Sequence, residues 1–288
     1  MTTILDGNRV AKELLDQTAA HVRALVASTG VVPCLATVLC GDDPASATYV
    51  RMKARRCEAV GMRSLRVALP ATTGTAELTA RIAALGADPA VHGILLQHPV
   101  PRHIDERAAF EAIPAAKDVD GVTVHNLGAM ALGLGSLHAC TPAGIMRLLA
   151  AYQVPLAGTR AVVVGRSPIL GKPMAYLLTN ADATVTLCHS RTRDLPALIG
   201  EADLVVAAVG KPRFVRGEWV RIGAVVVDAG YNEGNVGDVD YEAAAARASM
   251  ITPVPGGVGP MTIATLIEQT AKAAAAQLGA PGELPARA

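Results

Sequence analysis

Apolar positions along this chain follow two alternating rhythms, one helical and one of short continuous runs. From Asp6 to Ser28 they fall at helical spacing (Val10, Leu14, Leu15, Ala19, Val22, Leu25), which predicts a long first helix. Cys34–Cys40 is a nearly unbroken apolar run, read as a buried strand and stopped by Gly41-Asp-Asp-Pro44. Helical spacing returns from Ala45 to Val60, and Gly61 stands where a glycine ends a helix. Leu65–Leu69 and Gly93–Gln97 predict two further strands, with a crossover helix over Thr75–Leu85 between them. A second series predicts strand Ala161–Val164, helix Met174–Leu178, strand Ala183–Cys188, helix Leu195–Gly200, and strands Leu204–Ala208 and Ala224–Asp228. One last helix runs to about Leu278, and residues 280–288 read as a flexible tail.

Strand–helix alternation of this kind predicts parallel sheets joined by right-handed crossovers. The fold class is therefore α/β, with two α/β domains in tandem. The C-terminal one is Rossmann-like, and a ligand cleft is expected between the two. The stretch Ile113–Thr141 has no stable period and is rich in glycine, so it reads as a long functional or linking loop. Pro142 is expected to open a helix through Leu149.

Composition narrows the class. Of 288 residues, 51% are hydrophobic and 18% charged, enough apolar material for two cores. The 26 basic and 25 acidic residues are interspersed, which points away from nucleic acid and from membrane surfaces. No apolar run approaches the roughly 18 residues of a spanning helix. The N-terminus breaks its apolar pattern too early for a secretory signal. Five scattered cysteines with no C-x-x-C pair read as reduced thiols of a cytoplasmic protein. Neither they nor the seven histidines show metal-ligand spacing.

Five segments carry candidate chemistry. Strand, Gly165, a loop closed by Gly171, and Pro173 at a first helical turn make a phosphate-holding arrangement, or a merely structural βα turn. Ser46-x-x-Tyr49-x-x-x-Lys53 puts Tyr49 and Lys53 on one helix face, either as an acid–base pair or as part of a solvated basic face with Arg51, Arg55 and Arg56. Gln97 ends a buried strand, where it points into the sheet's crevice or caps a loop; its neighbour His98 is expected to face solvent. Asp118 and Asp120, within Lys117-Asp-Val-Asp-Gly121, suit a turn or a bound cation or ring nitrogen. Thr252–Thr262, dense in glycine and proline, fits either a hinge or a backbone wall against a flat ligand. After the second Rossmann strand, His189-Ser190-Arg191-Thr192 lacks the acidic residue that NAD sites place on the ribose. With Arg166, this favours NADP.

Taken in order, Ser46–Lys53, Lys117–Gly121, Val164-Gly-Arg-Ser-x-Ile-x-Gly-x-Pro173 and Ile251–Thr262 resemble the bifunctional methylenetetrahydrofolate dehydrogenase/cyclohydrolase family. The resemblance covers essentially the whole folded chain. It implies a folate-binding catalytic domain of residues 1–138 plus 259–279, an NADP-binding domain of residues 139–258, and a last helix returning to the N-terminal domain. The implied activity is oxidation of 5,10-methylenetetrahydrofolate with NADP⁺, then hydrolysis to 10-formyltetrahydrofolate, in a cytoplasmic homodimer with no nucleic-acid or membrane partner. A dehydrogenase-only relative or a non-catalytic nucleotide binder is the alternative.

By the same resemblance, Lys53 is the acid–base group, Tyr49 orients the folate, Gln97 tunes Lys53 and Asp120 holds the pterin. Gly259 and Pro260 line the folate pocket. Gly165, Arg166, Ser167, Ser190 and Tyr231 contact the cofactor, with Arg166 and Ser190 at the 2′-phosphate; no metal is implied. Four positions depart from the family pattern: His98, Ala139, Pro168 and Tyr231.

Overall fold

The computed structural model describes residues 2–41, 43–135 and 137–280, with residues 44–48 described by their backbone alone. The tail expected at 280–288 lies, beyond Ala280, outside them. The chain divides into two compact units. One comprises residues 13–128, 135–138 and 263 onward, and the other residues up to 12, 129–134 and 139–262.

In the first unit, β2 (Cys34–Cys40), β3 (Arg63–Leu69) and β4 (Gly93–Leu96) form a parallel sheet in the order β3-β2-β4. The first strand of this unit is central, and the next two flank it on opposite sides. β2 and β4 are almost wholly buried, as continuous apolar runs in a parallel sheet should be. Helices α2 (Pro44–Ala59) and α3 (Thr75–Ala87) are the crossovers, and Gly61 ends the α2 connection at φ +86°. The later part of α10 (Val258–Gln277) packs in this unit: Gln269 Nε2 donates to the Val119 carbonyl and Gln277 Nε2 to the His92 carbonyl, both at 2.8 Å. Gly93 permits that packing, since a Cβ there would lie 2.7 Å from Val119 and 3.1 Å from Thr270.

The second unit holds a six-stranded parallel sheet in the order β1-β9-β8-β7-β5-β6. Its strands are β1 (Thr3–Ile4), β5 (Arg160–Val164), β6 (Thr184–Cys188), β7 (Leu204–Ala207), β8 (Val225–Asp228) and β9 (Met250–Ile251). Val162, Val164, Val205, Ala207 and Val226 form its core with Ile199, Val215 and Ile251. From β5 the chain steps to β6, then returns past β5 to β7, so winding direction reverses between β5 and β7. This doubly wound arrangement confirms the Rossmann-like expectation.

Several elements are new relative to the hydrophobic pattern. β1, only two residues long, pairs with β9 and brings the N-terminus into the second sheet. The supposed loop Ile113–Thr141 contains a 3₁₀ turn at Ala115–Lys117, helix α5 (Val124–Ala131) and the start of α6 (Cys140–Ala151). Helix α4 (Glu106–Glu111) precedes that stretch, and α7 (Gly171–Asn180), α8 (Leu195–Gly200) and α9 (Tyr241–Ala245) complete the set.

A buried carboxylate orders the 118–126 segment. Asp118 is wholly buried; its oxygens accept from Val122 N at 3.1 Å, Thr123 N at 2.9 Å, Thr123 Oγ1 at 2.7 Å and Asn126 Nδ2 at 2.9 Å. Replacing Asp118 with Ala strands these donors, and we expect a loss of about 3 kcal/mol of stability in urea titrations. A loss below about 1 kcal/mol would show that the segment finds other acceptors.

Candidate functional site

Open parallel sheets place ligands beyond the C-terminal strand ends, where winding direction reverses. In the first unit that point lies between β2 and β4. Gln97 is the residue immediately after β4, its backbone N–H held by the Val38 carbonyl at 2.8 Å. Lys53 lies on the helix that follows β2, and its Nζ donates to Gln97 Oε1 at 3.0 Å. Gln97 Nε2 donates in turn to the His98 carbonyl at 2.7 Å, which fixes the amide so that its oxygen faces the ammonium. Gln97 is buried, whereas Lys53 and Tyr49 are half-buried on α2 with Tyr49 one turn earlier.

The parallel bridge between Ile94 and Asp118 runs the next segment alongside β4. The chain turns directly after Asp118: Gly121 N donates to the Asp118 carbonyl at 3.1 Å with Gly121 at φ +62°, which puts Asp120 on the turn itself. The two aspartates therefore separate: Asp118 is wholly buried and bonded within its own segment, while Asp120 is partly exposed on the turn. Lys117 also turns inward, donating to the Asp88 carbonyl at 2.7 Å, and burial pushes its pKa below the usual lysine range.

His98 is solvent-facing, as expected, but not idle. Its Nδ1 donates to Glu106 Oε1 at 2.6 Å, an interaction that sequence reasoning missed.

In the second unit the reversal point falls between β5 and β7, and the glycine loop sits on it. Gly165 follows β5 at φ +125°; a Cβ there would lie 2.0 Å from the Ala208 carbonyl oxygen just beyond β7. Gly171 is equally constrained, with a Cβ 2.0 Å from the Gly165 carbonyl oxygen. Only glycine at both positions lets the turn close and α7 start against the strand end. Ser167 caps the turn from within, its Oγ accepting from Leu170 N at 3.1 Å and Gly171 N at 3.4 Å. Arg166, Ser190 and Arg191 are exposed at the ends of β5 and β6.

Tyr231, on the loop after β8, is 57% exposed, and its hydroxyl donates to Asn235 Oδ1 at 2.6 Å. Gly259 and Pro260 fall in the first turn of α10, the glycine exposed and the proline half-buried. Lys53 and Gln97 thus meet at the first sheet's reversal point and Gly165–Ser167 sit at the second's, whereas Tyr231, Gly259 and Pro260 lie beyond β8 and β9 of the second unit.

A pair of buried carboxylates organises the β8 loop and was not foreseen. Asp238 accepts from Val209 N at 2.6 Å, Gly210 N at 2.8 Å, Lys211 N at 2.9 Å and Asn232 Nδ2 at 3.0 Å. Asp228, 3% exposed, accepts from Gly230 N, Asp238 N and Val239 N, each at 2.9 Å. The available signal was two aspartates flanked by glycines, Asp228-Ala-Gly230 and Gly237-Asp238, which permit close backbone approach. Burial raises the Asp228 pKa to about 6, helped by the charge of Asp238 and opposed by the three N–H donors. Among the described residues no cluster of His, Cys, Asp or Glu is arranged to hold a metal, and no helix is long and apolar enough to cross a membrane.

A doubly wound unit with a nucleotide-type glycine turn, joined in one chain to a second α/β unit bearing a lysine–glutamine pair, defines a nucleotide-dependent α/β enzyme class. Comparison with known proteins makes this specific. The NAD(P)-binding domain of tetrahydrofolate dehydrogenase/cyclohydrolase matches residues 139–278, and the catalytic domain matches residues 5–120. The bifunctional protein FolD 1 of Streptomyces avermitilis is 64% identical over 276 residues, 96% of each chain. The crystal structure of the bifunctional FolD enzyme of Campylobacter jejuni superposes with a TM-score of 0.93 at 44% identity, covering 95% of this chain and 99% of that one. That of the Trypanosoma brucei dehydrogenase–cyclohydrolase, complexed with NADP and an inhibitor, does so at 0.90 and 38%, covering 93% and 96%. The chain belongs to the tetrahydrofolate dehydrogenase/cyclohydrolase family.

The Asp228 environment yields a pH test. Its folded pKa of about 6 exceeds the ordinary value of 3.8, so the folded state binds this proton more tightly. Its stabilising contribution is full below pH 3.8 and lost as pH rises through about 6. Unfolding free energies of wild type and Asp228→Asn should therefore diverge in favour of the variant by about 2 kcal/mol from pH 4 to pH 7. Parallel pH profiles would show that Asp228 does not titrate in this window.

Proposed function

We infer that this chain oxidises 5,10-methylenetetrahydrofolate to the methenyl form with NADP⁺ and hydrolyses that product to 10-formyltetrahydrofolate. The observation that carries the reading is the Lys53–Gln97 hydrogen bond at the end of β4, in a chain that matches both domains of the family. Bound NADP⁺ supplies the hydride acceptor. The protein's task in the oxidation is positioning: the nitrogen lone pairs of the folate support the cation that develops as hydride leaves.

The nucleotide fits the second unit's loop. Gly165 and Gly171 leave the two tightest points of the turn at the β5–β7 reversal without a Cβ, so backbone can approach a phosphate closely there. Arg166 and Ser190 supply a cation and a hydroxyl for the 2′-phosphate, and no carboxylate occupies the positions directly after β6. Gly165 and Ser167 would flank the phosphates, and Tyr231 would border the nicotinamide.

In the hydrolysis, Lys53 holds and transfers the proton as water adds and the ring opens. Gln97 Oε1 keeps the ammonium aimed, because its amide is itself locked by the His98 carbonyl. Tyr49 packs on the pterin and Asp120 bonds it; Gly259 and Pro260 are assigned to the folate by the family resemblance. The protein acts as a cytoplasmic homodimer.

A spectrophotometric assay with methylenetetrahydrofolate and each dinucleotide in turn tests both halves. Lys53→Met is expected to fold normally and to lose hydrolysis of the methenyl compound by about 100-fold or more. Unchanged hydrolysis would overturn the role of Lys53. Arg166→Ala is expected to raise the NADP⁺ KM by about 10- to 100-fold while that for NAD⁺ moves within about twofold. Equal changes for both would place Arg166 away from the 2′-phosphate.

A further inference from the structure

Gln97 can aim Lys53 only if its own amide is held, and the group that holds it is the His98 carbonyl. That carbonyl sits on an irregular segment just beyond β4, Gln97-His-Pro-Val-Pro101, where no strand ladder fixes the backbone. The segment is instead pinned from helix α4. Glu106 Oε1 accepts from the His98 side chain at 2.6 Å and from Val100 N at 3.4 Å, taking hold of the residues on both sides of Pro99.

The helix is itself anchored elsewhere. Asp105 caps it, accepting from Ala108 N at 3.0 Å. Arg107 Nη2 donates to the Val122 carbonyl at 2.6 Å, and Glu111 Oε1 accepts from Val124 N at 3.0 Å. Arg107 and Glu111 also pair one turn apart. This one short helix thus grips the segment after Gln97 with its first residue and the segment after Asp120 with its second and last.

We propose that α4 is a strut that sets the spacing of the two substrate-side segments, and that Glu106, through His98, is a positioning residue for the Gln97–Lys53 pair. Glu106 does not touch the reacting atoms; it limits the travel of the carbonyl that orients Gln97. The pair is partly exposed, with side-chain exposures of 45% for His98 and 32% for Glu106, so its removal exposes no core. The proposal rests on the assignment of Lys53 to the hydrolysis.

The test compares Glu106→Ala, Glu106→Gln, His98→Ala, the His98→Ala/Glu106→Ala double variant and Lys53→Met in the full-length protein. Glu106→Ala is expected to lower kcat for methenyl hydrolysis by about tenfold, because small misplacements of a proton-handling group are costly. The KM for NADP⁺ and the thermal midpoint should stay near wild type. Glu106→Gln keeps an oxygen acceptor for His98 and Val100 and should recover kcat to within about threefold of wild type. His98→Ala should fall in the same direction, and the double variant should be no worse than Glu106→Ala, since the two act through one contact.

A kcat for Glu106→Ala within twofold of wild type would overturn the strut, as would equal loss in Glu106→Gln or additive loss in the double variant. Should Glu106→Ala fail to fold, His98→Ala with unchanged kcat would overturn it alone. Loss of hydrolysis in Lys53→Met beside normal Glu106→Ala would discard the strut and keep the lysine. Retained hydrolysis in Lys53→Met would discard the assignment of the lysine, and the strut with it.

Discussion

Where winding direction reverses in an open parallel sheet, two neighbouring strand ends release their chains to opposite faces and leave a gap between them. In the second unit that gap is as narrow as backbone allows. A single methyl group at Gly165 would overlap the Ala208 carbonyl, and one at Gly171 would overlap Gly165. Because these contacts are glycine to backbone, the β5 turn closes main chain on main chain, with the Ser167 hydroxyl as its cap, and α7 can start directly against the strand. The first unit solves the same problem with side chains. There the reversal point is bridged by Lys53 and Gln97, one from the helix after the central strand and one from the end of its neighbour. Both sheets reverse their winding beside a strand end, but one closes that point with backbone and the other with a lysine–glutamine pair.

Much of this was legible in the sequence, for a physical reason. Parallel strands buried on both faces must be continuous apolar runs, so Cys34–Cys40, Gly93–Leu96 and Val225–Asp228 announced themselves. Their alternation with helical spacing then limited the topologies. Elements whose stability comes from specific tertiary bonds carried no such pattern. α4 is six residues with one exposed and one buried face, too short to show a period. β1 is two exposed residues whose only claim to be a strand is its pairing with β9. Gly128 and the alanines of α5 dilute its helical spacing, and its start is set by the buried Asp118 network.

The candidate site divides along the same line. Lys53, Gln97 and the glycine loop were readable because their positions relative to strand ends already imply where they point. Asp118 and Asp120 looked alike until burial separated them, one wholly enclosed and the other partly exposed on the turn. Glu106 was invisible because it holds one side chain and one backbone N–H on either side of Pro99, a pairing that no sequence period marks. Asp228 and Asp238 lie ten residues apart, and nothing in their spacing predicts that one would accept from the other's N–H.

The carboxylate of Asp238 has one more consequence. Val209, Gly210 and Lys211 offer three successive N–H groups directly after β7, an arrangement that elsewhere cradles anions. Here the protein fills that cradle with its own negative charge. The three donors beyond β7 are therefore already satisfied from within the chain, and that turn is closed to an outside anion.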